Sequence, residues 1–337
     1  MKIDASLSGK VEATGPLAAE LEAAGYDGLW TGEARHEPFL QLLHAADATS
    51  RVSIGSAVAI AFARTPMTVA GAAYDLALYS RGRFILGLGS QVKPHITRRF
   101  SMPWSQPAAR MREFVAALHA IWATWQDGTP LDFRGEFYTH TLMTPFFSPP
   151  AHEFGAPPVF LAAVGERMTE VAGELCDGMF FHPFTTDRYL RTVTLPALAR
   201  GRERAGRSEA GFTLAGPAFI CTGRNEAEMA AAVKGTKAQI AFYASTPAYR
   251  PVLELHGWGE LQTELNRLSR QGRWSAMGEA VTDDILHAFA VVGEPSEVGK
   301  GLAARWSGVA DRVTLYANWD AGADLLADVM RATRVGC

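Results

Sequence analysis

Short apolar runs that end in small or polar residues, each followed by an amphipathic stretch, recur along most of the chain. Units of this kind predict parallel strands joined by helical crossovers. The pattern predicts strands at Ile3–Leu7, Gly28–Thr31, Val52–Ile60, Arg83–Leu88, Val159–Ala163, Met179–His182, Phe212–Cys221 and Arg312–Ala317. Helices are predicted between them, among them Pro16–Ala24, Thr65–Tyr79, Pro107–Trp125, Asp187–Ala205 and Ala323–Thr333. Pro16 near a first turn and Gly25 just past an end are the usual start and stop signals. Eight strands alternating with helices favour an α/β fold closed as a (β/α)8 TIM barrel over an open doubly wound sheet. Helical pieces over about 225–287 read as an insertion between strands seven and eight. No low-complexity linker separates them, so 1–337 reads as one domain.

Three segments fall outside the alternation. Val92–Gln106 is long enough to have its own task. Leu131–Tyr138 reads as a hairpin turning at Arg134-Gly135, and Thr144–Pro158 is rich in proline and aromatics; together they would form a lid.

Bulk properties narrow the partners. The 337 residues are 48% hydrophobic, enough for a large core, and a net charge of -3 without a basic stripe argues against nucleic acid. Cys176, Cys221 and Cys337 are scattered and lack metal-site spacing, which disfavours a disulfide framework or a zinc centre and fits a reducing cytoplasm. Met1–Leu7 already reads as a strand and no long uncharged apolar run follows, so neither export nor a membrane span is expected. Small molecules are the expected ligands.

The carboxyl ends of barrel strands gather at one rim, where such folds do chemistry. That rim would collect Glu33 and His36 after strand two, Ser90, Gln91 and His95 after strand four, Val164–Met168 after strand five, and His182 after strand six. In Gly82-Arg83-Phe84-Ile85-Leu86-Gly87-Leu88-Gly89-Ser90-Gln91 an apolar strand runs into glycines, which either let backbone approach a ligand or make a tight turn. Val164-Gly165-Glu166-Arg167-Met168 is sharper: a glycine opening a helix leaves bare N–H groups at the positive end of its dipole, a seat for phosphate that Arg167 would reinforce. Val92 stands where a dinucleotide fingerprint needs its third glycine, and no P-loop is present. No metal site is expected, because Glu33 and His36 form only a loose pair. No serine lies in a G-x-S-x-G elbow.

Gly25-Tyr26-Asp27-Gly28-Leu29-Trp30, Phe62-Ala63-Arg64-Thr65-Pro66, Gly82–Gly89, Ala162-Ala163-Val164-Gly165 with Cys176-Asp177-Gly178, and Val291–Val298 together resemble the bacterial luciferase-like superfamily. Within it the chain is most similar to coenzyme F420-dependent oxidoreductases, over nearly its whole length. The resemblance implies a TIM barrel with inserted segments and a deazaflavin over the strand ends. Its phosphate would sit at Val164, Gly165, Arg167 and Met168, with Ser90, Gln91 and His95 also on the cofactor. It maps an acidic cofactor contact onto Glu33, and a strand-three bulge with a non-proline cis peptide onto Ala57-Val58. It further implies a homodimer.

Three positions depart from relatives that act on sugar phosphates: Ala34 replaces a His after the acidic residue, Val92 replaces a Glu, and His95 stands for an Asn. The function expected is F420-dependent hydride transfer between C5 of the deazaflavin and a small organic substrate. His36 would carry the proton, His182 would be second, and Trp104, Phe146 and Phe147 would wall the pocket. The alternatives are a reduced-FMN-dependent monooxygenase of a two-component system, fed by a flavin or F420 reductase, and a cofactor-binding protein without turnover.

Overall fold

Twelve strands organise the computed structural model, which describes residues 1–336, so that Cys337 lies outside the described residues. They are β1 (Lys2–Ser6), β2 (Gly28–Thr31), β3 (Ser53–Ser56), β4 (Ala59–Ile60), β5 (Phe84–Gly89), β6 (Phe133–Arg134), β7 (Thr139–His140), β8 (Val159–Ala163), β9 (Gly178–Phe181), β10 (Thr213–Thr222), β11 (Ala290–Gly293) and β12 (Arg312–Tyr316). The order β10-β12-β1-β2-β3-β5-β8-β9 returns to β10, a closed eight-stranded parallel barrel. Registers are parallel, with Asp4 opposite Thr314, Leu29 opposite Ile54 and Gly87 opposite Phe160.

The eight expected strands are present with shifted ends. The run Val52–Ile60 breaks into β3 and β4 around Ala57-Val58, whose peptide is cis. β9 stops at Phe181, so His182 is the first residue beyond it. β11 was not expected; it pairs with the carboxyl half of β10, Ile220 opposite Val291. The helix expected from Asp187 is interrupted by a π-helical stretch over Leu190–Thr194.

The hairpin pairs Phe133 with His140, so its turn spans Gly135–Tyr138 rather than Arg134-Gly135. The Glu113 carboxylate pins that turn, accepting from the backbone N–H of Glu136 at 2.7 Å, Phe137 at 2.8 Å and Tyr138 at 3.2 Å. A Cβ at Gly135 would collide with the same carboxylate. Phe146 and Phe147 are 89% and 72% exposed and pack only edge-to-face on each other among the described rings, so they wall no pocket here.

The described chain packs as two compact units. One comprises Ala5–Phe180 and Ala197–Thr213. Its strands approach too closely for side chains at two glycines: a Cβ on Gly55 would lie 2.5 Å from the Ile85 carbonyl oxygen, and one on Gly87 would strike the Ser56 carbonyl and the Phe180 ring. Ser56 uses the closeness, its hydroxyl donating to the Gly87 carbonyl at 2.8 Å and accepting from the Gly87 N–H at 3.0 Å. The glycines ending β5 therefore serve strand packing. A Cβ on Gly89 would meet the Val58 side chain at 2.6 Å.

The other unit comprises Met1–Asp4, Phe181–Pro196 and the described chain from Leu214 onward. Its core joins Phe184, Phe219, Ile240, Leu265 and Phe289, so the helical insertion is built around the same apolar cluster as the ends of its strands. Within it the buried guanidinium of Arg312 grips both oxygens of Asp4, at 2.9 and 2.8 Å. Such a pair is tolerable in an apolar interior because each charge satisfies the other.

Candidate active site

In the first unit, polar groups collect after β2 and β4. The Glu33 side chain, 7% exposed, accepts from the Ile60 N–H at 2.7 Å and from Arg64 at 2.5 Å. Arg64, 16% exposed, spans to Glu37, which is 40% exposed, and its guanidinium lies 5.6 Å from the Phe39 ring centre. Glu37 also caps the helix Pro38–Ala48 by accepting from the Phe39 N–H at 3.3 Å. One arginine thus orders the whole loop after β2. The Glu33 N–H donates to the Val58 carbonyl at 3.0 Å, which ties this loop to the cis peptide. Glu33 is accordingly a clamped anion with Oε1 left over. His36 is exposed and its imidazole makes no hydrogen bond among the described residues.

The helix Glu166–Leu175 starts at Gly165, and no side chain caps it. Met168 and Thr169 donate backbone N–H groups to the Gly165 carbonyl, both at 3.1 Å. The N–H groups of Glu166 and Arg167 precede the first possible acceptor of the helix. A Cβ on Gly165 would meet nothing within 4 Å, so the space beside this glycine is open. Glu166, which would compete with an anion here, is drawn to Arg200 at 2.6 Å. Bare amides, room and an exposed Arg167 match a phosphate group.

Ser90 and Gln91 follow β5, Gln91 in the left-handed region at φ 59° with its side-chain oxygen accepting from the Val92 N–H at 3.0 Å. His95 opens a π-helical turn over His95–Arg99 that carries Arg98 and Arg99. Lys93, His95, Arg98, Arg99 and Arg35 are exposed, and Arg99 donates to the Ala34 carbonyl at 2.9 Å, which joins the loops after β2 and β5 into one basic face.

The second unit holds a different arrangement. The Phe184 N–H donates to Nδ1 of His182 at 3.0 Å, and Nε2 lies 3.0 Å from the hydroxyl of Tyr249. The imidazole stacks on Tyr249, centroids 4.6 Å apart, and meets Tyr243 edge-on at 4.7 Å. Tyr243 and Tyr316 share a hydrogen bond of 2.9 Å between their hydroxyls. Burial lowers the His182 pKa to about 4 and raises that of Tyr249 to about 12, so both are uncharged near neutrality. Burial also pushes the Tyr316 phenol well up.

Arg64 and Tyr249 carry much of this geometry and neither stood out in the sequence. Arg64 had a usable signal, a cation between a strand end and the Thr65-Pro66 helix start. Tyr249 had none, because its partner lies 67 residues away.

The chain belongs to the luciferase-like monooxygenase family, whose model matches residues 4–312. It is 54% identical to the uncharacterized protein Rv1360 of Mycobacterium tuberculosis, over 93% of this chain and 92% of that one. It is 28% identical to a putative coenzyme F420-dependent oxidoreductase of the same organism, over 85% of each. Among solved structures, the F420-dependent tetrahydromethanopterin reductase of Methanopyrus kandleri superposes with a TM-score of 0.78 at 20% identity, covering 98% of this chain and 96% of that one. EDTA monooxygenase of Chelativorans sp. BNC1 gives 0.77 at 16% identity, over 100% and 94%. A putative coenzyme F420-dependent oxidoreductase and methylenetetrahydromethanopterin reductases are thus among the sequence relatives, and the fold is shared with an F420-dependent reductase and a monooxygenase.

Proposed function

We propose that the chain is an F420-dependent oxidoreductase acting on a small organic substrate. The observation that carries this reading is the open, uncapped helix start at Gly165. Its donors suit the phosphate of a bound redox cofactor, with Val164, Arg167 and Met168 around it. Glu33 would meet the ring system through its free carboxylate oxygen, above Ala57 and Val58, with Ser90 and Gln91 beside it. The exposed cations Arg35, Lys93, Arg98 and Arg99, with His95, favour F420 over FMN, since a long anionic tail gains from a basic face where a short phosphate ester does not. Once bound, the deazaflavin supplies a hydride acceptor or donor at C5, and the chain's part is to hold ring and substrate so that little reorganisation is left.

Titration with F420 and with FMN, followed by the absorbance and fluorescence of the bound chromophore, tests this. F420 should bind more tightly, and its affinity should fall as salt rises. Tighter binding of FMN, with oxygen uptake once a reductase reduces it, would establish the monooxygenase instead. Binding of F420 without hydride exchange to any acceptor would leave a cofactor-binding protein.

A further inference from the structure

We propose that the loop 141–151 places Phe146 and Phe147 in the interfacial layer of a lipid bilayer, so that the protein associates weakly and reversibly with membranes of zwitterionic lipid. No helix among the described residues is long and apolar enough to cross a membrane, so the contact is one of surface. It is independent of the cofactor proposed above.

The loop lies wholly in the first unit, on the side away from the strand ends that carry Glu33 and Gly165. It connects the carboxyl end of the helix Pro107–Asp127 to the amino end of β8. Crossover helices of such a barrel run against the strands, so this connection emerges where strands begin. Both of its flanks are pinned there. Trp125 Nε1 donates to the Met143 sulfur at 3.4 Å, and Gln126 Nε2 donates to the His152 carbonyl at 3.0 Å. The Tyr74 hydroxyl donates to the oxygen of that amide at 2.6 Å, and the His152 ring packs on Tyr74 with centroids 4.1 Å apart. Between these anchors the tip is stiff. A 3-10 turn over Pro145–Phe147 is closed by the Phe147 N–H on the Thr144 carbonyl at 2.9 Å, and Pro149-Pro150 follow with φ fixed by their rings. Phe146 and Phe147 are thereby held out in solvent, as is Leu142, rather than folded over the cofactor rim.

Size and charge indicate what covers them. Two phenyl rings present about 300–400 Å2, whereas a stable protein interface takes about 800 Å2 from each partner. A bilayer needs no complementary surface, and aromatic rings are favoured at its interface. Residues 141–151 contain no charged side chain, so insertion strands no ion in the headgroup layer. The exposed charges on either side, Asp127, Asp132, Glu136 and Glu153 against Arg134, are mostly acidic and would be repelled by anionic lipid. Zwitterionic headgroups leave the rings as the driving force.

Sedimentation of the full chain with palmitoyl-oleoyl phosphatidylcholine vesicles tests this. Half of the protein should sediment at roughly 1 mM accessible lipid, about tenfold weaker than a single myristoyl chain achieves. Phe146→Ser or Phe147→Ser should weaken binding about 10-fold, and the double variant should stay in the supernatant. Urea unfolding should be unchanged, because both rings stand outside the core. The single variants stand in should the pair not fold. Phe146→Trp with Phe147→Trp, which keeps rings suited to the interface, should bind at least as tightly as wild type. Salt at about 0.5 M should not release the protein, and added phosphatidylglycerol should not strengthen binding. Wild type that stays in solution at roughly 10 mM lipid overturns the proposal, as does a double Ser variant that sediments like wild type. Binding that requires phosphatidylglycerol and vanishes in salt would move the contact to the basic face after β2 and β5, and overturns it too. A dimer in sedimentation velocity that the double Ser variant dissociates, without vesicle binding, would give the rings to a second copy instead.

Discussion

The Glu33–Arg64–Glu37 cluster and the His182–Tyr249 cluster both place polar groups just past strand ends, yet they use opposite physics. The first is a chain of three formal charges drawn from neighbouring loops, half open to solvent, with Glu33 and Arg64 only 31 residues apart. The second carries no formal charge near neutrality and is assembled from stacked rings and hydroxyls brought in by the helical insertion. Charge suits the first because solvent and a backbone amide share the cost of burying Glu33, while an apolar core such as the one around Phe184 and Phe289 penalises any ion.

If the second cluster is neutral because it is buried, acid should break it. Its His182 has a folded pKa of about 4 against 6.5 unperturbed, so between these pH values the unfolded chain binds a proton that the folded chain refuses. Stability conferred by the neutral imidazole is therefore present above pH 6.5 and declines toward pH 4, by on the order of 3 kcal/mol. His182→Asn should remove that share of the slope, measured by urea unfolding across the window. Other histidines, His119, His140 and His256, are shifted the same way by desolvation and contribute to wild type and variant alike. Identical slopes would show that the imidazole is not kept neutral by the fold.

In the charged cluster the effect should be smaller and localised. Arg64→Met leaves the Glu33 carboxylate with only the Ile60 N–H and should cost about 2 kcal/mol, between the values for surface and buried pairs. Urea unfolding at neutral pH reads this, and a loss below about 0.5 kcal/mol would place the pair effectively in solvent. The smallest change is expected on the outer side. Glu37→Gln keeps an oxygen for the Phe39 N–H and gives up only a half-exposed ion pair, so it should move stability by no more than about 0.5 kcal/mol. A loss equal to that of Arg64→Met would mean the three charges act as one unit.

The barrel was legible because its determinants are local. Apolar runs with helices between them, Gly25 ending a helix at φ 100° and the Thr65-Pro66 capping box need no distant partner to be read. The same holds for the start at Gly165, where the absence of a side chain and the beginning of a helix are both visible in five letters. β11 escaped notice because it is short, lies between two helices and is held by β10, whose pairing residues lie about 70 positions earlier. The glycines of Gly87-Leu88-Gly89 were visible as unusual, but what they accommodate was not. Whether the missing Cβ makes room for a ligand or for Ser56 depends on the distance between strands.

The amino-acid order by itself determined the succession of βα units, the family to which they belong and the bare helix start, since periodicity, turn chemistry and backbone freedom act over a few residues. Only the tertiary structure decided that Arg64 clamps Glu33, that His36 stands exposed and unheld, and that His182 spends one nitrogen on Phe184 and offers the other to Tyr249. Those outcomes depend on which groups lose water together and which lone pairs are already taken, and both are properties of packed neighbours rather than of spacing along a chain.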